Sequence, residues 1–275
     1  QQADKILLNY INGDYSCHIP QNYEGAIYQV FSSVEQLATM LQSKNETERK
    51  AKEFLKDTIS DISHQLKTPL AALTMYQEII ESEPENAETV KQFAAKMGIS
   101  LKRMEQLILS MLKITRLDTG NIIFEKKSCR VSELIAHSVN ELTARAKNEN
   151  KQIQIDGDGE QKLICDMEWT GEAIGNIVKN ALDHTQVGGI VRITWNRAPA
   201  MFQIFISDNG SGIAPEDIHH IFKRFYRSKH SIDTQGIGLG LPLAKSIIEG
   251  QGGVISVQSE SGKGTLFTLS FLTEL

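Results

Sequence analysis

The first 56 residues have apolar positions at helical spacing. From Glu24 onward the apolar residues recur every three or four positions, at Ile27, Val30, Val34, Leu37 and Leu41. This is the heptad rhythm of helices that pair as a coiled coil. An earlier apolar run ends at the turn signal Asn12-Gly13. We therefore predict two helices separated by a turn, followed by a solvated charged stretch at 44–50. The segment is either a helical linker or a signal-transmitting helical pair.

Residues 57–118 have the pattern of a long helical hairpin. The first helix carries its apolar stripe at Ile59, Ile62, Leu66, Leu73, Tyr76 and Ile80. A turn is expected at 83–86, and the return helix repeats the rhythm at Phe93, Met97, Ser100, Met104, Leu107, Met111 and Ile114. One hairpin cannot bury two such stripes, so the pattern predicts a homodimer whose hairpins form a four-helix bundle.

The pattern changes at about Ile122, where short β-like runs alternate with helical ones. We predict strands at 122–125, 152–155, 190–195, 202–207, 254–259 and 265–271, and helices at 131–148, 168–183 and 241–250. This order predicts an α/β sandwich with one helical layer on a mixed sheet. The whole chain is then of the α+β class, with a signal-transmitting segment at 1–56, a dimerising hairpin at 57–121 and a third domain at 122–275.

Composition excludes some classes of function. A net charge of −5 and a pI of about 5.9 argue against a nucleic-acid binder. The cysteines, Cys17, Cys129 and Cys165, are odd in number and have no metal-binding spacing, which favours reduced thiols. No run of apolar residues is as long as a membrane span.

His64 is the first candidate for chemistry. With Ile59 and Ile62 at the core positions of the heptad, His64 falls on the outer face of its helix. Pro69 follows inside the same helical pattern, where it removes a backbone donor and should bend the helix. An imidazole next to such a costly feature suggests a functional role rather than an ordinary surface histidine.

The string Ser63-His64-Gln65-Leu66-Lys67-Thr68-Pro69-Leu70 resembles the H box of sensor histidine kinases. The resemblance implies that His64 accepts phosphate on a ring nitrogen and that Thr68 orients water in a phosphatase reaction. The family has Glu or Asp after the histidine, but Gln65 cannot take a proton. Either Asp61, on the same helix face, supplies the base, or autophosphorylation is slow and the phosphatase reaction is favoured.

A pair of amides comes next. Asn176 and Asn180 share one helix face and offer the hard oxygen ligands that Mg²⁺ takes, unless they are simply surface amides. The segment 175–181 resembles the N box of the kinases, which implies that Asn180 is the metal ligand. Where the family often has Lys, this chain has Asp183, whose charge would repel phosphate. Lys179 and His184 could compensate for it.

Asp208 ends a β-like run and begins a DxGxG sequence with Gly210 and Gly212. Glycines allow a flat base to approach the backbone closely, and the carboxylate can accept a hydrogen bond from an exocyclic amine. The alternative is an Asx turn. The sequence resembles the G1 box, and this implies that Asp208 recognises adenine.

Two further segments complete the pattern. Residues 221–229 resemble the F box of the kinases. The resemblance implies that Phe222 and Phe225 pack the base of a lid and that Arg227 or Lys229 reaches phosphate. The alternative is a solvated basic patch. The glycine-rich 236–240 leads into a helix, so that backbone N–H groups would face phosphates. It resembles the G2 box, formed here by Gly236, Gly238, Gly240 and Leu241, and the segment around Thr265 resembles the G3 box. A dinucleotide fold would need a strand before the glycines, but a polar loop precedes them.

Together the five boxes resemble a two-component sensor histidine kinase, and the layout of residues 1–56 resembles a HAMP domain. The resemblance implies ATP and Mg²⁺ as cofactors, a homodimer, transfer of phosphate from His64 to an Asp of a response regulator, and possible phosphatase activity. We also expect a membrane anchor upstream of Gln1, with this part in the cytoplasm. Two alternatives remain: a silent scaffold that binds nucleotide, and an ATPase related to Hsp90, gyrase or MutL.

Overall fold

A computed structural model describes Tyr10 and residues 26–228 and 236–273. The chain divides into two compact units, Gln1–Pro84 and Glu85–Leu275. The predicted turn at Asn12-Gly13 and the predicted start of a helix near Glu24 lie outside the described residues. Within them, no helix combines the length and the apolar character needed to cross a membrane.

In the described part of the first unit, a long helix, α1, spans Ala26–Ser82. It passes without a break through the charged stretch 44–50 and through Pro69. The charged stretch is therefore helical, and ion pairs such as Arg49 with Glu46 and Glu53, both at 2.8 Å, brace it. Such exposed pairs contribute little each, but three- and four-residue spacing supports a helix.

The second helix of the hairpin, α2, spans Ala87–Asp118. The predicted turn at 83–86 is confirmed, since it separates α1 from α2. Asn86 caps α2 by accepting a hydrogen bond from the Thr89 N–H at 3.3 Å, which satisfies one of the first backbone donors. Towards the end of α2, Met111 and Ile114 are buried.

The rest of the chain forms an α/β sandwich, as predicted. Among the described residues, its sheet has five strands: β2 at Gln152–Asp156, β4 at Ile190–Arg197, β5 at Met201–Asp208, β6 at Val254–Glu260 and β7 at Gly264–Leu272. Their order is β2-β4-β5-β7-β6. Only β2 and β4 run parallel, and the other neighbours are antiparallel. The sheet is therefore mixed.

One face of this sheet is covered by helices α3 at Val131–Asn148, α4 at Met167–His184 and α6 at Gly240–Gly250. A short helix, α5, lies at Pro215–Ile218. The core forms because Phe202, Ile204 and Ile206 alternate along β5 and turn to one side, where they are fully buried. Ile177 of α4 and Ile247 of α6 are also fully buried.

One predicted strand is wrong. Residues 122–125 form no strand, and Ile123 is 92% exposed. A strand β1 lies instead at Lys127–Arg130 and pairs antiparallel with β3 at Lys162–Cys165. These two short strands form a separate two-stranded sheet. The apolar run at 122–125 lacks a partner strand, and β-propensity alone does not hold an extended segment in a sheet.

Candidate active site

His64 lies exposed on α1, as the heptad position predicted. Asp61 and Thr68 are exposed as well, and Gln65 is half-buried. Because Pro69 has no N–H, the backbone carbonyl of Gln65 lacks its usual helical donor. The imidazole is thus open to solvent beside a weakened turn of the helix.

Helix α4 presents two different faces. Asp166 caps its start by accepting a hydrogen bond from the Trp169 N–H at 3.2 Å. One face is buried in the core, with Ile174, Ile177, Val178, Ala181 and Leu182. The opposite face carries Asn176 and Asn180, which the helical period places side by side. Burial of the apolar face therefore fixes the direction of the two amides.

These amides line a cavity of about 310 Å³. Helix α4 contributes four polar residues to its wall, Asn176, Lys179, Asn180 and Asp183, and α2 contributes Gln106 and Ser110. The remaining wall consists of the glycine-rich segment 236–242 together with Ile221 and Tyr226. The structure thus brings together the N box and the G2 box, which lie more than fifty residues apart in sequence. The volume lies at the lower end of the range for small-molecule sites.

Two glycines of this segment are required by close contacts. A Cβ on Gly240 would lie 3.1 Å from Asn176 Oδ1, so any other residue would push against the amide. Gly238 has a φ of +75°, and a Cβ there would lie 2.9 Å from the backbone of Phe225. The N–H of Phe225 also donates to the Gly238 carbonyl at 2.9 Å. The F box and the G2 box are therefore held together through their backbones.

The start of α6 offers donors to an anion. Its N-cap residue, Leu239, has no side-chain hydrogen bond to the helix. The backbone N–H groups of the first turn are therefore not capped by the Leu239 side chain. Gly240 and Leu241, the first residues of the helix, line the cavity. The partial positive charge of a helix N-terminus favours phosphate at such a place.

Asp208 lies at the end of β5, beside the β6–β7 hairpin. Its Oδ1 accepts a hydrogen bond from the Gly210 N–H at 2.8 Å, and the residue pairs in register with Thr265 of β7. Burial raises the pKa of the Asp208 carboxyl above its ordinary value. A Cβ on Gly212 would lie 2.1 Å from the Glu260 carbonyl oxygen, so this turn needs glycine. Asp208 is not part of the cavity wall.

Helix α4 connects the cavity with the turn that follows Asp208. The Ser211 N–H donates to the carbonyl of His184 at 3.1 Å, and a Cβ on Gly210 would lie 2.3 Å from that same carbonyl oxygen. At a rise of about 1.5 Å per residue, Asn176 and His184 are about 12 Å apart along the helix. An elongated ligand could therefore reach from the glycine-rich segment to Asp208 by lying along α4.

Several predicted site residues take other positions. The Phe222 ring meets Phe267 of the sheet edge-on, with centroids 6.4 Å apart. It therefore packs the segment 221–228 against the sheet. His184 contributes its carbonyl to the packing of the G1 turn and does not line the cavity. Arg227 is exposed and outside the cavity wall, and Lys229 lies outside the described residues. The roles of these residues stay predictions.

The partner of Asp183 is not predictable from the sequence. Arg145 of α3 places its Nη2 2.6 Å from Asp183 Oδ1. The guanidinium therefore offsets the negative charge of Asp183 at the cavity wall, and the compensation by Lys179 and His184 stays a prediction. Nothing in the sequence marks this contact, because it joins two residues that are 38 positions apart on different helices.

The donor set fits Mg²⁺ and a nucleoside triphosphate. Among the described residues, no group of three or more His, Cys, Asp or Glu could hold a metal by itself. Mg²⁺ keeps several waters and is commonly bound through one or two carboxylates together with substrate phosphates. Here the amide oxygen of Asn180 could take the place of such a carboxylate. The glycine-rich start of α6 would take the phosphates. A group bound here would supply a phosphoryl group for transfer.

The family models that match are the His Kinase A (phospho-acceptor) domain, over residues 54–120, and the histidine kinase-, DNA gyrase B- and HSP90-like ATPase, over residues 165–275. The chain is 30% identical over 217 residues to the sensor-like histidine kinase SenX3 of Mycobacterium tuberculosis, covering 78% of this chain and 53% of that protein. It is also 30% identical to the sensor protein SrrB of Staphylococcus aureus, covering 78% and 37%. The chain therefore spans about half, or less, of these relatives.

Solved structures share the fold. The Acinetobacter baumannii histidine kinase AdeS matches with a TM-score of 0.60 at 17% identity, over 76% of this chain and 97% of that one. The histidine kinase ThkA, solved in complex with the response regulator protein TrrA, matches with a TM-score of 0.67 at 21% identity, over 84% and 66%. With the phospho-acceptor domain preceding the ATPase domain, the chain belongs to the sensor histidine kinases of two-component systems.

Proposed function

We propose that the chain transfers the γ-phosphoryl group of Mg-ATP to His64 and passes it on to an aspartate of a response regulator. The observation that carries the proposal is the cavity in which the amides of α4 meet the glycine-rich start of α6. Catalysis of phosphoryl transfer consists mainly of positioning and charge stabilisation, which such a cradle can provide. The exposed imidazole of His64 is a suitable acceptor.

The proposed roles follow the site. Asn180 ligates Mg²⁺, the backbone around Gly236, Gly238 and Gly240 holds the phosphates, and Asp208 recognises the adenine. Lys179 adds a positive charge at the cavity wall. Since Gln65 cannot act as a base, Asp61, three positions before His64 on the exposed face, is the proposed alternative.

Apolar side chains on α1 support the homodimer. Val30, Leu37, Leu41 and Ile59 are between 52 and 59% exposed within one chain. Each continues the heptad stripe, and a second copy would cover them. We infer that residues 57–121 form the dimerising and phospho-accepting part, and that 122–275 form the ATP-binding domain. For 1–56, the continuous helix from Ala26 favours a signal-transmitting segment related to HAMP.

Relatives that are longer than this chain support further proposals. SenX3 and SrrB are named as sensor proteins, and this chain corresponds to part of each. We infer that the whole protein is anchored in a membrane, with the described part in the cytoplasm. Thr68, exposed one turn after His64, supports a phosphatase activity towards the regulator.

The experiment that tests this function compares two products of ATP. Incubation with γ-labelled Mg-ATP should label the protein itself, with a bond that acid cleaves and alkali does not. Steady release of phosphate without labelled protein would indicate a simple ATPase instead. Nucleotide binding with neither product would indicate a silent scaffold.

A further inference from the structure

Two cysteines that are far apart in sequence lie next to each other in the two-stranded sheet. Cys129 of β1 faces Leu163, and Cys165 of β3 faces Lys127, so that the cysteines occupy diagonal positions of the antiparallel pair. Their Sγ atoms are 3.5 Å apart. The odd cysteine count gave no sign of this pairing.

The environment differs between the two thiols. Cys129 is half-buried and so partly accessible to solvent, whereas Cys165 is 1% exposed. The hydrogen bond with Cys165 lowers the pKa of the Cys129 thiol, and the same bond, with burial, raises the pKa of the Cys165 thiol. Thiolates are the reactive form, so the accessible cysteine is also the more nucleophilic one.

We propose that Cys129 and Cys165 are a redox-active pair that closes to a reversible disulfide when the protein meets a peroxide. The Cys129 thiolate attacks one oxygen of the peroxide, forming a sulfenic acid and releasing hydroxide. The Cys165 thiol then attacks the sulfenic sulfur, its proton leaves with the hydroxyl as water, and the S–S bond forms. The two cysteines lose two electrons, and the peroxide gains them.

Closing the bond requires a small movement. A disulfide holds its sulfurs about 2.05 Å apart, so the Sγ atoms must approach by about 1.5 Å. The two strands have four residues each and pair only with one another among the described strands, while Arg197 of β4 donates to the Lys162 carbonyl of β3 at 3.5 Å. A bond that displaces its strands is more easily reduced, which suits a reversible switch.

The movement has a direct route to the cavity. Cys165 precedes Asp166, which caps α4 and whose N–H donates to Gln251 Oε1 at 2.8 Å. Gln251 directly follows the last residue of α6. A shift of β3 therefore acts on Asp166, which joins the start of α4 to the end of α6, and these two helices supply the amides and the glycine-rich N-terminus of the site.

The test is a map of cysteine bonds. The protein is treated with hydrogen peroxide, blocked with N-ethylmaleimide, digested without reductant and analysed by mass spectrometry. We expect one cross-linked peptide pair joining Cys129 and Cys165, lighter than the sum of the free peptides by two hydrogens and opened by dithiothreitol. The pair should also form in Cys17→Ser, the matched control, and disappear in Cys129→Ser and Cys165→Ala.

The proposal fails if Cys129 oxidises to a sulfinic acid without the bridge, or if bridges through Cys17 form instead. The wild-type map decides this even where a variant does not fold. The route to the cavity is tested by nucleotide affinity, which we expect to fall several-fold on oxidation in wild type and in Cys17→Ser but not in Cys129→Ser. Equal affinities would overturn that route. This second readout rests on the proposed function; absence of nucleotide binding in the reduced protein would count against that function and not against the thiol pair.

Discussion

Arg145 Nη2 lies 2.6 Å from Asp183 Oδ1, and the carboxylate that it holds forms part of the cavity wall. The same guanidinium places its Nε 2.6 Å from Glu149 Oε1, and Glu149 in turn bonds to Lys151 at 2.6 Å. Asp183 is thus one member of a chain of alternating charges that joins α3 to α4. A carboxylate so compensated can border a phosphate site at a lower electrostatic cost.

Replacement of this guanidinium should weaken nucleotide binding. Arg145→Met keeps much of the apolar stem but removes the charge, so Asp183 would face the phosphates uncompensated. We expect ATP affinity to fall roughly fivefold, equivalent to about 1 kcal/mol because the pair is partly solvated. Titration with a fluorescent nucleotide measures it. The double variant Arg145→Met/Asp183→Asn should recover most of the affinity.

The matched control is Arg192→Met, which removes an exposed arginine from β4. Its affinity should equal that of the wild type. If Arg145→Met bound nucleotide as tightly as the control, Asp183 would not influence the phosphates, and its place at the cavity wall would have no electrostatic consequence.

Asn180→Ala should abolish magnesium-dependent labelling of the protein by ATP. The variant removes the only side-chain oxygen assigned to the metal, while α4 keeps its buried face and alanine is a good helix former. Autophosphorylation measured over a range of Mg²⁺ concentrations tests this. Asn196→Ala, at an exposed position of β4, serves as the control and should label normally. Normal labelling of Asn180→Ala would remove the metal assignment.

Asp208→Asn should separate stability from binding. Burial raises the pKa of this carboxyl, so the folded protein carries the charge at a cost. The folded state therefore binds this proton more tightly than the unfolded chain does. The free energy of unfolding contributed by the protonated carboxyl is fully present below the ordinary pKa of 3.8 and is lost as the pH rises through the raised pKa. At neutral pH we expect the variant to melt about 2 °C higher, with weaker adenine nucleotide binding.

Thermal melts from pH 4 to pH 7 and nucleotide titrations measure the two effects of Asp208→Asn. The difference in melting temperature between variant and wild type should grow with pH. An unchanged affinity for the nucleotide would count against adenine recognition by Asp208. A variant that melts at a lower temperature than the wild type at neutral pH would show that the charged carboxylate does not destabilise the folded protein.

Gln65→Glu tests the departure from the H box of the family. Glu supplies a carboxylate next to His64 that can accept a proton from the imidazole, as the amide cannot. We expect faster autophosphorylation, by about tenfold, at saturating Mg-ATP. Gln42→Glu, at an exposed position of the same helix, adds the same charge away from His64, so it controls for the change in charge and should leave the rate unaltered. An unchanged rate in Gln65→Glu would show that the base lies elsewhere, with Asp61 the next position to replace.

The hairpin and the main sheet could be predicted from sequence because each depends on local patterning. The turn at 83–86 combines Pro84 with a capping Asn86, and alternation along β5 places Phe202, Ile204 and Ile206 on one face. The small sheet could not be predicted. Lys127–Arg130 carries little apolar character, and its pairing with Lys162–Cys165 is a tertiary contact.

The same limit applies to the site. The glycines and amides of the site can be predicted from the sequence because they lie in short motifs. Their chemistry depends on backbone conformation and on the helix period. Gln106 and Ser110 reach the cavity from α2, and no local pattern distinguishes them from other polar positions of that helix. Arg145 was missed for the same reason, since its role depends on how α3 packs against α4.

The measurement that tests the central claim most directly is the location of the phosphoryl group after incubation with Mg-ATP. Mass spectrometry at neutral pH should place it on the imidazole of His64, and His64→Ala should carry none. His137→Ala removes another exposed histidine, so it should be labelled like the wild type. Phosphate absent from His64, or equal labelling of His64→Ala, would contradict the account.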